Sequence, residues 1–120
     1  MPDKFNDIAA VIATNDYATA RSWYVRVIGR EPDLEPIDGV GEWQIASTAW
    51  LQLAEDHHRA GRTAVRIGVD DLAAQVAELN AEGIATGEPV VIADMVTVVD
   101  VADPDGNEVS FVEDLRAEEF

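Results

Sequence analysis

The sequence predicts an α+β fold made of two βαβββ modules, because its second half repeats the pattern of its first half. Residues 51–56 and 109–114 agree position by position, each reading apolar, polar, apolar, apolar, Glu, Asp. Residues 9–16 and 64–71 are both apolar runs that end in a residue able to cap a helix. Two copies of one unit in a chain of 120 residues indicate two similar modules that close around a shared cleft.

The elements of the first module follow from apolar periodicity. Residues 7–14 are rich in Ile, Val and Ala, which is typical of a buried strand. Asn15 or Asp16 can cap the next helix, where apolar side chains recur at helical spacing until Gly29. Two strands are predicted over residues 42–48 and 50–55. The polar residues 56–62 then connect the two halves.

The second module repeats this order. Residues 63–69 predict a strand, and Asp71 caps a helix whose apolar residues Leu72, Val76 and Leu79 share one face before Gly83 ends it. Strands are predicted over residues 90–93, 95–101 and 108–113, with a tight turn over 103–107. We expect one domain spanning 1–120, with modules at about 6–56 and 63–114 and a frayed or helical tail over 115–120.

Composition and charge narrow the class of protein. Eight Lys and Arg against 24 Asp and Glu give a net charge of −16, which repels nucleic acids and anionic membranes and attracts cations. The same charge also serves solubility alone. The chain has no Cys, which excludes disulfides and thiolate catalysis, and no apolar run approaches the ~20 residues that span a bilayer. We therefore expect a cytoplasmic protein without nucleic-acid or membrane partners.

Three motifs in this order carry a resemblance to a known family. They are Asp16 followed by residues 20–24 and Gly29, then residues 69–72, then the Asp-Pro-Asp-Gly-Asn turn at 103–107. Over nearly the whole chain, the sequence resembles the vicinal oxygen chelate superfamily, which includes glyoxalase I, extradiol dioxygenases, and fosfomycin- and bleomycin-resistance proteins. The resemblance implies paired βαβββ modules and a homodimer, often with exchanged modules.

The resemblance also implies where a metal ion would be bound. Members with metal chemistry carry His or Gln on the first and fifth strands of the cleft, and Glu or His on the fourth and eighth. The matching positions here are Ala9, Ala64, Gln52 and Ser110. Alanine has no donor atom, and an amide and a hydroxyl alone bind a divalent ion poorly. We therefore predict that the protein has no metal cofactor.

Strand alternation predicts the other residues on the cleft face. Small side chains stand where ligands to a metal would be, beside one indole and a few polar groups, which suits a planar or amphipathic ligand. The residues predicted to bind a ligand are Trp50, Gln52, Arg66, Glu108 and Ser110, with Trp43 as a further candidate. The alternative interpretation places Trp50 and Trp43 in the core or in a dimer interface.

Other polar groups favour no catalytic site. The pair His57-His58 lies in a polar connector and is expected to be solvated, and Glu55 and Glu113 are expected at strand ends that face solvent. The pair Trp23-Tyr24 is expected to pack against the sheet. The spacing supports no Ser-His-Asp triad, phosphate loop or dinucleotide fingerprint.

These observations favour a metal-free protein of the glyoxalase and bleomycin-resistance type that binds a small cationic or aromatic molecule, such as an antibiotic or a metabolite. Two alternatives stay open. One is a glyoxalase-like lyase, isomerase or dioxygenase, or a metal-free derivative that uses Arg66 and Glu108. The other is a non-catalytic module that senses a metabolite or dimerises. Pairing of exposed strand edges with a second copy also predicts a homodimer.

Overall fold

A computed structural model describes residues 4–116 of the protein. These residues form seven strands and two helices, in an order that confirms the α+β class. The elements are β1 (Ile8–Thr14), α1 (Tyr17–Ile28), β2 (Val40–Ala46), β3 (Ala49–Glu55), β4 (Ala64–Gly68), α2 (Leu72–Ala81), β5 (Val90–Ile92), β6 (Val96–Ala102) and β7 (Glu108–Asp114). Neither helix is long and apolar enough to cross a membrane. The expected conformation of the tail falls mostly on residues 117–120, which lie outside the described range.

The strands form two sheets with matching registers. The first sheet has the order β1-β3-β2 and the second the order β4-β7-β6-β5. In the first sheet β1 is parallel to β3, with Ala9 opposite Trp50. In the second sheet β4 is parallel to β7, with Ala64 opposite Glu108. The pairing of backbones thus follows the repeat that is visible in the sequence. Whether the two halves unfold as one domain stays a prediction.

The first module lacks one regular strand of the βαβββ pattern. Between α1 and β2, the described residues form only an isolated antiparallel bridge between Leu34 and Glu42. Pro32 and Pro36 flank Leu34, and proline has no N–H to donate to a ladder. The second module has the corresponding strand, β5, paired antiparallel with β6.

Each helix is capped by the aspartate that precedes it. The side chain of Asp16 accepts a hydrogen bond from Thr19 N–H, and that of Asp71 accepts one from Ala74 N–H. The first helix ends at Gly29, whose φ of 90° lies in the left-handed region that glycine adopts without strain. The sequence left Asn15 and Asp16 open as caps, and the structure selects Asp16.

Glu55 and Glu113 extend this capping and do not simply face solvent. The Oε1 atom of Glu55 accepts a hydrogen bond from Tyr17 N–H at 3.3 Å, and that of Glu113 accepts one from Leu72 N–H at 2.7 Å. Each carboxylate therefore satisfies a free N–H in the first turn of its own module's helix and interacts favourably with the helix dipole. Glu55 is exposed, as expected of a strand end that faces solvent, whereas Glu113 is half-buried, so the expectation is corrected for Glu113.

The hydrophobic core lies between the helices and one face of the sheets. Trp23 and Tyr24 of α1 pack edge to face, with their ring centroids 4.8 Å apart. The ring centroid of Tyr24 lies 6.3 Å from that of Trp43 in β2. Leu51 and Phe111 belong to the same buried cluster. The packing role expected of Trp23-Tyr24 is confirmed. The opposite face of the sheets is not covered by the helices and is available for a binding site.

The turn at residues 103–107 joins the two halves. Asn107 donates from Nδ2 to Ala13 O at 2.7 Å and to Asp103 Oδ2 at 2.8 Å, and its Oδ1 accepts from the hydroxyl of Thr63 at 2.7 Å. Tyr24 donates its hydroxyl to Asp103 Oδ2 at 2.7 Å. Ala13 and Tyr24 belong to the first half and the other three residues to the second. The turn therefore fixes how the two sheets lie together.

Both tyrosines are held in the neutral form. Burial, together with a hydrogen bond to Asp103, raises the pKa of Tyr24 well above its ordinary value. Burial, with a hydrogen bond to Glu35, raises the pKa of Tyr17 to about 12. A raised pKa in the folded state stabilises the fold below the unfolded value of ~10, and that contribution is lost as pH rises through the folded value. Both hydroxyls are therefore donors throughout the physiological range.

Candidate ligand cleft

The face of the sheets that lies opposite the helices, here called the cleft face, carries two rows of cross-strand neighbours. In the first sheet Val11, Gln52 and Glu42 are aligned across β1, β3 and β2. In the second sheet Arg66, Ser110 and Asp100 are aligned across β4, β7 and β6. Side chains of directly opposed residues point to the same face of a sheet. The two rows occupy equivalent positions in the repeat.

A cavity of about 460 Å³ opens where β1 and β4 run side by side. At one end of this seam, Ala13 N–H donates to Thr63 Oγ1 at 3.5 Å. The cavity lies at the other end, between the start of β1 and the end of β4. Its walls are mostly small or aliphatic side chains, together with Trp50 and Arg66. A concave, mainly apolar space of this volume with few polar groups is typical of a site for a small molecule.

Trp50 and Arg66 are the predicted residues that the structure brings together at the cavity. Trp50 is half-buried on β3, and Arg66 is exposed on β4. Ala9, Ala46 and Ala49 line the space around the indole, so a flat ligand could lie against it without meeting a large side chain. The indole offers a stacking surface, and the guanidinium offers hydrogen-bond donors.

Gln52 and Ser110 share the cleft face but do not line the cavity. The amide Nε2 of Gln52 donates to Glu42 Oε2 at 2.8 Å, and the hydroxyl of Ser110 donates to Asp100 Oδ1 at 2.6 Å. Each forms a cross-strand pair with a carboxylate, one pair in each sheet. Glu108, also on this face, is exposed and lies opposite Ala64.

Glu42 and Asp100 are functional candidates that reading of the sequence missed. The signal was present, since each carboxylate precedes its predicted partner, Gln52 or Ser110, by the same 10 residues. Together with Glu108 they place several carboxylates on the cleft face, which also carries the cation Arg66. This face is therefore locally acidic, in agreement with the net charge of −16.

Trp43 is not a cleft residue, and its prediction as a ligand contact is corrected. Its side chain is 0% exposed, and its Nε1 donates to Arg30 O at 2.9 Å. In β2 it lies opposite Leu51, on the helix-facing side of the first sheet. Its alternative interpretation as a core aromatic is the one that the structure shows.

The residues at the positions implied for a metal ion do not fit one. Ala9 and Ala64 have no donor atom, and Gln52 and Ser110 offer only a neutral amide and a hydroxyl. Structural and catalytic metal sites need three or four deprotonated or imidazole ligands that converge on one point. Among residues 4–116, no group of three His, Cys, Asp or Glu side chains converges in this way.

His57 and His58 lie outside the cleft, in the turn after β3. His57 Nδ1 is 2.8 Å from Asn15 Oδ1, and both histidines are exposed. His58 contacts Asp56 through its backbone N–H, at 3.0 Å from Oδ1. The pair therefore stabilises a turn at the surface, and the structure does not join it to the cavity.

Solved structures with the same fold are numerous, although no protein-family model and no curated protein matches the sequence. A glyoxalase / bleomycin resistance protein from Catenulispora acidiphila DSM 44928 is 29% identical, with a TM-score of 0.82 over 89% of this chain and 96% of that one. A lactoylglutathione lyase from Agrobacterium tumefaciens is 18% identical, with a TM-score of 0.76 over 94% and 96%. TnmS3, an antibiotic binding protein from Streptomyces sp. CB03234, is 18% identical, with a TM-score of 0.77 over 94% and 97%.

These likenesses extend over nearly the full length of every chain compared. They point to the same superfamily as the three motifs at Asp16, at 69–72 and at 103–107. The enzyme and the antibiotic-binding protein have the same fold, so the fold alone does not select an activity. The chain has the fold of the vicinal oxygen chelate superfamily, and its structural neighbours include glyoxalase and bleomycin-resistance proteins.

Proposed function

We propose that this protein binds a small aromatic molecule carrying a positive charge, without a metal ion and without converting it. The observation that carries the proposal is the composition of the cleft face. A half-buried indole lies at a cavity of about 460 Å³, and the same face of the sheets carries the carboxylates of Glu42, Asp100 and Glu108.

The cavity supports the aromatic part of the ligand. Trp50 forms one wall, and alanines form much of the rest, which leaves room for a planar group beside the indole. Stacking on an indole contributes on the order of 1 kcal/mol beyond the burial of apolar area. Arg66 at the rim suits a carbonyl or hydroxyl oxygen on the same ligand, because a guanidinium is a donor and never an acceptor.

The carboxylates support the positive charge of the ligand. Glu42, Asp100 and Glu108 lie on the same face of the sheets as Trp50 and Arg66, and Arg66 is the one opposing charge among the aligned rows. A negative net charge of this size attracts a cation at long range and raises its concentration near the cleft. Two structural neighbours, a glyoxalase / bleomycin resistance protein and the antibiotic binding protein TnmS3, are consistent with a small-molecule ligand.

We expect a homodimer in solution. Ile8 lines the cavity and is 71% exposed, and a second copy that covers it would complete the walls of the cleft. Light scattering at micromolar concentration should give twice the mass of the chain. Ile8→Glu should shift the protein toward monomer, whereas Ala18→Glu on the outer face of α1 should leave the mass unchanged. A monomeric mass for the unmodified protein would contradict this expectation.

We expect the purified protein to contain no stoichiometric Zn, Ni, Mn or Fe. Ala9 and Ala64 supply no ligand, and the neutral amide of Gln52 and the hydroxyl of Ser110 alone bind a divalent ion poorly. Elemental analysis after incubation with each metal and desalting should give far less than one equivalent. One tightly bound equivalent that is lost in Gln52→Ala would overturn the metal-free proposal.

We expect Trp50→Ala to weaken binding of a cationic aromatic ligand about tenfold or more while the fold stays intact. Bleomycin and thioflavin T are suitable probes, and titration calorimetry measures their binding with or without the Trp50 indole. The tenfold loss corresponds to about 1.4 kcal/mol, which the stacking and burial terms supply together. Trp50→Phe should recover part of the affinity because it keeps an aromatic face.

The alternative is that Trp50 packs as a core or interface residue. In that case Trp50→Ala would lower the free energy of unfolding by roughly 3–5 kcal/mol, the cost of removing a large buried aromatic side chain. A denaturant titration of the variant separates the two cases. Unchanged affinity in a stable Trp50→Ala variant would also refute the proposed site.

A further inference from the structure

A second cavity, of about 400 Å³, lies on the other side of the second sheet, between α2 and the strands β6 and β7. It is separate from the cleft, since it faces the helix. Its lining residues are Leu72, Ala73, Val76, Pro89, Thr97 and Glu113. The walls are apolar except for the hydroxyl of Thr97 and the carboxylate of Glu113, so the cavity combines apolar area with two hydrogen-bond acceptors at its edge.

The internal repeat shows what occupies the equivalent space in the first half. Tyr17 and Leu72 are each the first residue of a helix that follows an aspartate cap. The N–H of each donates to the equivalent glutamate, Glu55 or Glu113. The two positions are therefore structurally equivalent, although one side chain is a phenol and the other is a short aliphatic chain.

The phenol of Tyr17 fills its space closely. A Cβ atom added to Gly41 would lie 2.3 Å from the Tyr17 hydroxyl and 3.5 Å from Pro32 Cγ, so the ring depends on the absence of a side chain at Gly41. The Tyr17 hydroxyl donates to Glu35 Oε2 at 2.7 Å. An aromatic ring with one hydroxyl donor to a carboxylate is thus the group that this position of the module accommodates.

In the second half the equivalent residue is Leu72, which has no ring, and the space beside it is open as the cavity. We propose that this cavity is a binding site for an uncharged aromatic alcohol of one or two rings. The ring system would lie against Leu72, Val76 and Pro89, and the hydroxyl would donate to Glu113 or Thr97. This arrangement reproduces with a ligand what Tyr17 does within the chain. Anionic aromatics are disfavoured by the net charge of −16.

The test is an NMR titration of the ¹⁵N-labelled protein with 2-naphthol, which is uncharged at pH 7. We expect saturable shifts of the amides of Leu72, Val76 and Thr97, with little change at the Trp50 indole N–H. Ala73→Trp should fill the cavity and weaken binding at least tenfold. Ala18→Trp is the matched control, because Ala18 is the exposed equivalent of Ala73 in α1 and should leave binding unchanged.

A second variant keeps the proposal falsifiable if Ala73→Trp perturbs the fold. Leu72→Tyr restores the side chain of the first half and should also exclude 2-naphthol. Shifts confined to the Trp50 indole, binding that neither variant weakens, or binding that appears only under conditions that dissociate a dimer would each overturn the proposal. The last outcome would mean that a second copy covers this cavity. Shifts at the Trp50 indole report the cleft and shifts at Leu72, Val76 and Thr97 report this cavity, so the same titration distinguishes the two sites.

Discussion

Replacing Asn107 by alanine is expected to lower the free energy of unfolding by roughly 3–5 kcal/mol, a large part of the ~5–15 kcal/mol that stabilises a typical domain. Asn107 is fully buried, and its side chain bonds Asp103, Ala13 O and Thr63. The substitution leaves Ala13 O and the Thr63 hydroxyl without this partner and removes one donor from Asp103, and each unsatisfied buried group costs about 1–3 kcal/mol. Chemical denaturation followed by circular dichroism measures the change.

The control for this substitution is Asn80→Ala, at an exposed position of α2. Because a surface change of this kind is usually within ±0.5 kcal/mol, it isolates the effect of the buried network. Tyr24→Phe provides an intermediate case, since it removes one hydroxyl donor to Asp103 and keeps the ring in the core. An Asn107→Ala variant as stable as the control would show that the turn does not hold the halves together.

The same network explains why the turn motif was informative and yet incompletely understood from sequence. Asp-Pro-Asp-Gly-Asn predicts a tight turn from local backbone preferences alone. What the sequence does not show is that Asn107 donates to Ala13 O, 94 residues away. Local chemistry predicted the shape of the turn, whereas its role depends on the position of the two sheets relative to each other.

Strand register accounts for the errors within the site. Alternation within a strand predicted that Trp50 and Gln52 share a face, and that Glu108 and Ser110 do, because that rule needs only one strand at a time. Trp43 required the register of β2 on β3, which pairs it with Leu51 and turns it into the core. Glu42 and Asp100 required the same information, and the repeat in the sequence would have supplied it had it been extended to β2 and β6.

The helices were predictable for a different reason. Apolar spacing, an aspartate cap and a terminal glycine are local signals, and all three agree with the observed α1. The contribution of Glu55 and Glu113 to the caps was not predictable in this way, because it brings a strand end to a helix start. The repeat made the two glutamates equivalent but did not indicate what they contact.

The second large expected effect concerns the carboxylates of the cleft. The double variant Glu42→Gln, Asp100→Asn should weaken binding of thioflavin T or another cationic aromatic probe on the order of a hundredfold at low ionic strength. Each carboxylate lost near a bound cation removes roughly 1 kcal/mol or more at the effective dielectric constant of a protein surface. The new amide oxygens can still accept from Gln52 and Ser110, so the cross-strand pairs persist.

Measuring the affinity at several salt concentrations distinguishes the loss of an electrostatic attraction from a change in the shape of the cavity. The Debye length falls from ~30 Å at 0.01 M to ~3 Å at 1 M, so an electrostatic difference between variant and unmodified protein should shrink as salt is added. A loss of affinity that is the same at all salt concentrations would instead mean that the substitutions had distorted the cavity. The comparison therefore identifies the cause of the loss as well as its size.

The matched control is Glu31→Gln, Glu78→Gln, which removes the same net charge from exposed positions outside the cleft face. If long-range attraction by the whole charge of −16 were sufficient, both double variants would weaken binding equally. We expect the control to change affinity less than threefold, because distant exposed charges are screened within a Debye length at physiological salt. Equal effects of the two variants would mean that Glu42 and Asp100 have no local role, and the cationic part of the ligand would then have to be placed elsewhere.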